Sequence, residues 1–170
     1  MCNSINPIYI ICFITVLLLT NCNIYSFSGA SISEDVKTVS ISYIQNQASL
    51  IQPSLSNNIT ESLTNKCLTE TPLDLVENNG DISFSGTITN YMISPVAINN
   101  TETASQNRLS ITVEITFINK YNPDDNFTKL FSQYADFNSN SNFSEIEEDL
   151  CSSIILDLVD DIFNQSLVNW

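Results

Sequence analysis

Residues 109–117 read LSITVEITF, and every second position of this stretch is apolar: Leu109, Ile111, Val113, Ile115 and Phe117. Because successive side chains of a β-strand point to opposite faces, a period of two places these five on one face. The positions between them carry serine, threonine and glutamate. The segment therefore predicts a strand over 109–118 with one face in a hydrophobic core and one polar face.

The same periodicity predicts four more strands. Residues 81–92 alternate apolar side chains with serine and threonine, and residues 36–43 do so over a shorter length. Two further runs predict strands at 73–77 and 127–135. A turn at 122–125, with the sequence Asn-Pro-Asp-Asp, separates the last of them from 109–118.

Two segments have helical periodicity instead. Residues 53–70 place apolar side chains at every fourth position, which gives one buried helix face: Leu55, Ile59, Leu63 and Cys67. Residues 145–166 form the clearer amphipathic helix, and Ser144 with Glu147 forms the pattern of a capping box at its start.

The order β-α-β-β-β-β-α predicts an α+β fold, a two-layer sandwich in which two helices cover one face of a single sheet. The sheet would be mainly antiparallel or mixed, with four to five strands. Its other face would be covered with serine and threonine. Such a face is either solvated or lies against the polar wall of a partner.

The composition excludes several classes of function. The 170 residues include 5 Lys and Arg, 19 Asp and Glu and no His, which gives a formal net charge of -14. A phosphate backbone requires basic side chains, so we expect no nucleic-acid partner. Without histidine, the usual Ser–His and Cys–His nucleophiles and His-ligated zinc sites are excluded. The acidic residues of 144–170 are predicted to lie on a solvated helix face.

No sequence pattern of a catalytic site is present. The chain has no phosphate-binding loop, nucleophile elbow or paired catalytic carboxylates. We therefore predict no enzymatic activity, no cofactor and no metal. A hydrolase built on a Ser–Lys pair is the one catalytic alternative that the residue types leave open.

The N-terminus has the features of an export signal. Residues 8–19 form an apolar run of 12, too short for a membrane-spanning helix, which needs about 20 residues. The sequence LLTNC at 18–22 resembles a bacterial lipobox, which predicts a lipoprotein signal peptide at 1–21 and a lipid anchor on Cys22. Residues 22–170 would then form one domain. An ordinary secretory signal or an uncleaved anchor, with Cys22 incidental, is the alternative.

Cys67 and Cys151 are the two cysteines of the predicted domain, and both lie on apolar helix stripes. In an exported chain they could form one disulfide. Two buried free thiols are an equally good interpretation.

Several segments, in this order, resemble the LptE family of lipopolysaccharide-assembly lipoproteins: YSFSGASI (25–32), KTVSI (37–41), PSLSNNITE (53–61), GDISFSGTITNY (80–91), NRLSITVEITFIN (107–119) and DIFNQSLVNW (161–170). The resemblance implies an α/β sandwich anchored by lipid to the outer membrane on its periplasmic side. It implies a non-enzymatic protein that plugs an LptD-type β-barrel, supports assembly of that barrel and assists insertion of lipopolysaccharide into the outer leaflet.

The resemblance also suggests where lipopolysaccharide would be contacted. Lipid binding in the family is associated with basic side chains; Arg108 lies at the start of the matching segment 107–119, and Lys120 directly follows it. These two residues are therefore the predicted contacts. The alternative function is a periplasmic lipoprotein that binds a glycan or another small ligand, which a deep pocket lined by aromatic side chains would favour.

Overall fold

The computed structural model describes residues 32–50, 52–96 and 105–168 of the chain, so the predicted signal peptide and Cys22 lie outside the described residues. Within the described ranges the elements are β1 Thr38–Ile41, β2 Gln45–Asn46, α1 Leu55–Glu70, β3 Asp74–Leu75, β4 Ile82–Val96, β5 Gln106–Asn119, β6 Phe127–Asn138 and α2 Phe143–Phe163. A 3-10 turn, Pro123–Asp125, precedes β6, and a π-helical turn, Asn164–Val168, follows α2.

The strands form one mixed sheet in the order β3-β1-β4-β5-β6, with β2 also paired to β4. β1 is parallel to β3 and to β4, and β2 is parallel to β4, whereas the β4–β5 and β5–β6 pairs are antiparallel. The predicted α+β fold, with a mixed sheet and two helices, is therefore confirmed. The described sheet has six strands instead of four or five because β2 also pairs, and a strand of two residues is too short to show a periodicity.

Strands β4 and β5 are longer than the sequence predicts, and β4 is irregular. Their pairing continues as far as Val96 and Gln106, beyond the alternating segments. The register of the pair shifts between Ile88 and Asn90, which marks a β-bulge. Because the bulge inserts one residue, it changes which positions face the core, and Tyr91 points inward.

The core lies between the inward face of the sheet and the two helices. The five apolar residues of LSITVEITF are all buried there, as predicted. The helices contribute the residues of their inner faces: Leu55, Ile59, Leu63 and Cys67 from α1, and Cys151, Ile154, Ile155, Leu158, Val159, Ile162 and Phe163 from α2. Neither of these two described helices is long and apolar enough to cross a membrane.

Helix α2 begins earlier than predicted. Its N-cap is Asn142, and the Asn142 side-chain amide donates a hydrogen bond to Glu145 Oε1 at 2.8 Å. The capping box predicted from Ser144 and Glu147 is therefore wrong. Glu147 instead accepts a hydrogen bond from a residue of the sheet.

That residue is Tyr91 of β4, which follows the bulge and whose hydroxyl joins the sheet to α2. The Tyr91 hydroxyl donates to Glu147 Oε1 at 2.5 Å and lies 3.9 Å from Cys151 Sγ. Burial, and then the bond to Glu147, raise the pKa of Tyr91, so the phenol stays protonated and remains a donor. The bulge before Tyr91 thus positions a cross-layer hydrogen bond.

Asp81 performs the corresponding function at the opposite end of the sheet, where β1 and β4 begin. Its Oδ2 accepts hydrogen bonds of 2.9 Å from the backbone N–H groups of Lys37 and Thr38 and from the Thr38 hydroxyl. The bond from the Lys37 N–H, followed by that from the Thr38 hydroxyl, lowers the pKa of Asp81. The ionised carboxylate therefore holds the first residues of two parallel strands together.

Asp81→Asn should reduce stability at neutral pH and flatten the loss of stability in acid. A carboxyl group whose pKa is lowered by folding stabilises the native state above its unfolded pKa of about 3.9. That contribution disappears as the pH falls through the lower, folded pKa. Urea unfolding between about pH 7 and about pH 3 measures this directly.

The matched control is Asp157→Asn, because Asp157 is exposed on α2 and makes no side-chain hydrogen bond to the described residues. Its acid profile should follow that of the wild type. Parallel acid profiles for the wild type and Asp81→Asn would contradict the role given to Asp81.

Candidate functional site

The side of the sheet away from the helices is the candidate site, and we call it the open face. It consists of the outward side chains of β4, β5 and β6, and no other element of the described ranges covers it. Nearly half of these side chains are serine or threonine: Ser83, Ser85, Thr87, Ser94, Ser110, Thr112, Thr116, Thr128 and Ser132. This is the polar face that the alternating sequences predict.

Hydroxyl groups of the open face bond to one another across the strands. Thr112 Oγ1 and Ser132 Oγ are 3.0 Å apart, and Thr116 Oγ1 and Thr128 Oγ1 are 2.9 Å apart. Each pair stands directly opposite in the β5–β6 register. Short side chains that are already paired lose little conformational freedom when a partner covers them.

Large apolar side chains interrupt this hydroxyl surface. Leu130 is 64% exposed, Tyr134 51%, Met92 47% and Ile118 43%. They are distributed over all three strands of the open face, so apolar contacts are available along its whole length. Exposed apolar groups among polar ones are typical of a surface that contacts another protein.

Strand β6 forms one edge of the sheet. It runs for 12 residues, Phe127–Asn138, and pairs only with β5 among the described strands. Its outer N–H and C=O groups are therefore available to another chain. A free edge of this length is usually protected in monomeric proteins, which favours a covering partner.

Arg108 lies at the start of β5 on the open face, and two nitrogens of its guanidinium are engaged within the sheet. Its Nε and Nη2 donate to the two carboxylate oxygens of Asp136 at 2.7 and 2.9 Å, and its guanidinium carbon lies 3.5 Å from the centre of the Tyr134 ring. The pair raises the pKa of Arg108 and lowers that of Asp136. The side chain is thus both fixed and neutralised by its partner.

Lys120 lies just beyond the other end of β5, where Nζ donates to the backbone carbonyl of Asn79 at 2.7 Å. Almost the full length of β5 separates it from Arg108, roughly 40 Å at a rise of about 3.3 Å per residue. The structure therefore does not bring the two predicted lipopolysaccharide contacts together. A single phosphorylated headgroup cannot reach both of them.

The outer faces of α1 and α2, which we call the helix layer, differ from the open face in charge. These helices carry nine acidic side chains and one basic side chain, Lys66. Lys66 Nζ bonds Glu70 at 2.7 Å and Asp160 at 2.9 Å, which links the helices. Within the described ranges no lysine bonds a serine hydroxyl, so no Ser–Lys pair is present there.

Cys67 and Cys151 are free thiols, and both are buried on the inner faces of the helices. The structure therefore contains the second of the two predicted alternatives, and not the disulfide. Burial raises the pKa of Cys67 to about 12 and also raises the pKa of Cys151. Both thiols are consequently protonated at neutral pH and behave as small apolar side chains.

A groove of about 700 Å³ lies at the end of the sheet where β5 turns into β6. Its walls are the N-terminal stretch 32–36, the turn 119–127 and the residues after α2, 165–167. Most of the lining side chains are amides, carboxylates or hydroxyls, and the aromatic ones are Tyr121 and Phe127. It is not the aromatic-lined pocket that the alternative function predicts. In the sequence, the asparagines at 119, 122 and 126 are the one feature that could have indicated a polar groove at this turn.

Comparisons with known proteins give a family match. A family model described as "LptE: Lipopolysaccharide-assembly" matches residues 36–166. A search of curated proteins finds no match. The chain is similar to the solved structure of a minor lipoprotein from Acinetobacter baumannii, with 15% identity, a TM-score of 0.49 and coverage of 77% of this chain and 92% of that one. It is also similar to rare lipoprotein B from Shewanella oneidensis, with 14% identity, a TM-score of 0.46 and coverage of 75% and 92%.

Neither Cys67 nor Cys151 should react with a thiol reagent in the folded protein. Burial blocks access and keeps both groups protonated, whereas unfolding exposes them. In a Cys22→Ser variant of the mature chain, the reagent should label no thiol in buffer and both thiols in guanidinium chloride, without added reductant. Failure to label either thiol after unfolding would mean that a disulfide forms on export, in conflict with the structure.

Proposed function

The chain belongs to the LptE family of lipopolysaccharide-assembly proteins, and from that premise we propose that it occupies the lumen of an LptD-type outer-membrane β-barrel. In this role it supports assembly of the barrel and assists insertion of lipopolysaccharide into the outer leaflet. It acts without catalysis, as a structural partner. The observation that carries the proposal is the open face, a large sheet surface without a cover in the described part of the chain.

The chemistry of the open face supports contact with the inner wall of a barrel. The interior of an outer-membrane barrel is polar, because its strands alternate apolar residues toward lipid with polar residues toward the lumen. Hydroxyl groups both donate and accept hydrogen bonds, so they can pair with either kind of wall residue. The exposed Leu130, Tyr134 and Met92 add apolar contacts between the hydroxyl pairs.

The distribution of charge also favours the open face as the surface that meets the barrel wall. The open face carries two acids, Glu114 and Asp136, and one base, Arg108. The helix layer is strongly acidic and would be repelled by the phosphate groups of lipopolysaccharide. The weakly charged face is therefore the one that can approach the barrel wall, while the helix layer remains toward water.

We propose that a lipid on Cys22 anchors the domain to the periplasmic side of the outer membrane. About ten residues separate Cys22 from Ile32, the first described residue, and a fully extended stretch of that length spans at most about 35 Å. An anchor of this reach keeps the domain close to the barrel and raises its local concentration there. Two or three acyl chains are sufficient for durable attachment.

Arg108 remains the better of the two proposed lipopolysaccharide contacts. It lies on the open face, and its Nη1 donates to no carboxylate in the described residues, so it could bond a phosphate oxygen while Asp136 holds the rest of the guanidinium. Lys120 lies outside the strand, at the far end of β5. We propose that it contacts a separate part of the lipid.

Ser132→Arg should reduce recovery of the barrel with this protein by on the order of tenfold or more. The substitution places an unpaired charge in the centre of the proposed interface, where desolvation is costly. The experiment is detergent extraction and affinity purification, with the large β-barrel protein quantified in the eluate. Ser153→Arg is the matched control, because Ser153 is an exposed serine of the helix layer and should not change recovery.

Two results would contradict the plug proposal: purification of the wild type without any large β-barrel protein, and equal loss of the barrel in both arginine variants. The second result would mean that recovery does not depend on which face carries the new charge, so the open face would not be the surface that contacts the barrel.

Mass spectrometry of the mature N-terminus should find Cys22 as the first residue, carrying acyl chains. Cys22→Ser should release the protein from the membrane fraction, because the covalent lipid supplies the attachment. A mature protein that begins elsewhere, or that carries no lipid on Cys22, would exclude the anchor while leaving the barrel contact to be judged by purification.

Substitution of the two members of the Arg108–Asp136 pair should have opposite effects on lipopolysaccharide binding. Arg108→Ala removes the proposed phosphate donor and should weaken binding by about tenfold. Asp136→Ala releases the guanidinium from its carboxylate partner and should strengthen binding. If both variants weaken binding equally, the pair has only a structural role.

A further inference from the structure

The groove at the β5–β6 turn has the construction of a ligand-binding site, and nothing in the plug role uses it. Its volume of about 700 Å³ is within the range of about 300–1,000 Å³ that is usual for ligand clefts. Buried apolar side chains, among them Val36, Ile82 and Leu167, contribute to its lining. The remaining lining groups are mainly polar and lie along the turn.

Asn119 fixes the shape of this turn. Its Oδ1 accepts hydrogen bonds from the backbone N–H groups of Tyr121 and Asn122 at 3.0 and 3.1 Å. Its Nδ2 donates to Asp125 Oδ2 at 3.2 Å, and its own N–H donates to Asn126 Oδ1 at 2.6 Å. The backbone of the turn is therefore ordered before any ligand binds, which reduces the entropy lost on binding.

The side chains that this turn presents to the groove are not used by the fold. The Tyr121 hydroxyl, the Asn122 amide and the Asp124 carboxylate bond to no other side chain or backbone group of the described ranges. The same holds for the Gln165 amide on the opposite wall. These groups are therefore available to a ligand, and the hydrogen-bonded frame of the turn holds the backbone that carries Tyr121, Asn122 and Asp124 in place.

The charges of the groove restrict the class of ligand. Asp35, Asp124 and Asp125 outnumber Lys129, so a phosphorylated or carboxylated ligand is disfavoured. The acids are also not arranged for a metal, since the described residues contain no group of three His, Cys, Asp or Glu side chains that could hold one. A neutral ligand that both donates and accepts hydrogen bonds fits these groups.

We propose that this groove binds a neutral saccharide. Adjacent sugar hydroxyls donate to carboxylates and exchange hydrogen bonds with amides, which supply both a donor and an acceptor. The Tyr121 ring is 55% exposed and offers an apolar surface for the C–H face of a sugar, with a hydroxyl at its tip. The inference is independent of the plug role, because the groove lies at the end of the sheet and not on the open face.

Calorimetric titration of the full mature chain tests this inference. The probe is the core oligosaccharide of lipopolysaccharide after removal of its acyl chains, its acidic sugars and its phosphates, so that it is neutral, compared with the same oligosaccharide that retains its phosphates. The dephosphorylated form should bind, with no dependence on salt. Tyr121→Ala and Asn122→Ala should each weaken binding by about tenfold.

Tyr43→Ala is the matched control, because Tyr43 is 57% exposed and does not line the groove. It should leave saccharide binding unchanged, and thermal melting should show that all three variants are folded. Recovery of the barrel on purification should be normal for Tyr121→Ala and Asn122→Ala, which separates this inference from the proposed plug role.

Three results would overturn the proposal. The first is no binding of the dephosphorylated oligosaccharide. The second is binding of the phosphorylated form alone with loss in high salt, which would indicate recognition of phosphate by basic residues elsewhere. The third is an equal loss of binding in Tyr43→Ala, which would place the saccharide outside the groove.

Discussion

The structure depends on strand β5 having a hydrogen-bonded neighbour on each side along most of its length. It pairs with β4 from Gln106 to Asn119 and with β6 over Gln106 to Phe117. A shift of one residue in a central strand would break its hydrogen bonds to both neighbours. The alternation of β5 therefore determines which face of β4, β5 and β6 is apolar. The helices can cover only the apolar face. The polar face is left uncovered by the same constraint.

This constraint explains why the fold could be predicted. Alternation in 109–118 and in 81–92, together with the fourfold spacing of apolar residues in α1 and α2, determines the layers and their contents. The features of the fold that could not be predicted depend on single residues, or on contacts between residues that are far apart in the sequence. The bulge near Asn90 adds one position to β4, and β2 has two residues, so neither leaves a periodic signal. Helix α2 begins after Asn142, whose amide bonds the Glu145 side chain and makes no capping hydrogen bond to the backbone, so no capping pattern in the sequence marks this start.

The candidate site also has features that the sequence predicts and features that it does not. The hydroxyl-rich face follows from alternation and was predicted. The state of Arg108 was not, because its partner Asp136 is 28 positions away in the sequence and meets it only through the β5–β6 register. The groove at the turn was also missed, since its walls come from three separate parts of the chain. Local patterns determine surfaces made by one element, whereas sites between elements require the assembled structure.

The free edge of β6 has a consequence for how much of this protein a cell can tolerate. A chain that carries 12 residues of unpaired strand is a template on which a second copy can add its own β6 edge. Such a pair is two-fold symmetric and uses both edges, so copies made in excess of the protein that covers the edge would pair as closed dimers that can no longer accept that protein. A cell would therefore have to keep synthesis of this protein in step with synthesis of the partner that covers the β6 edge.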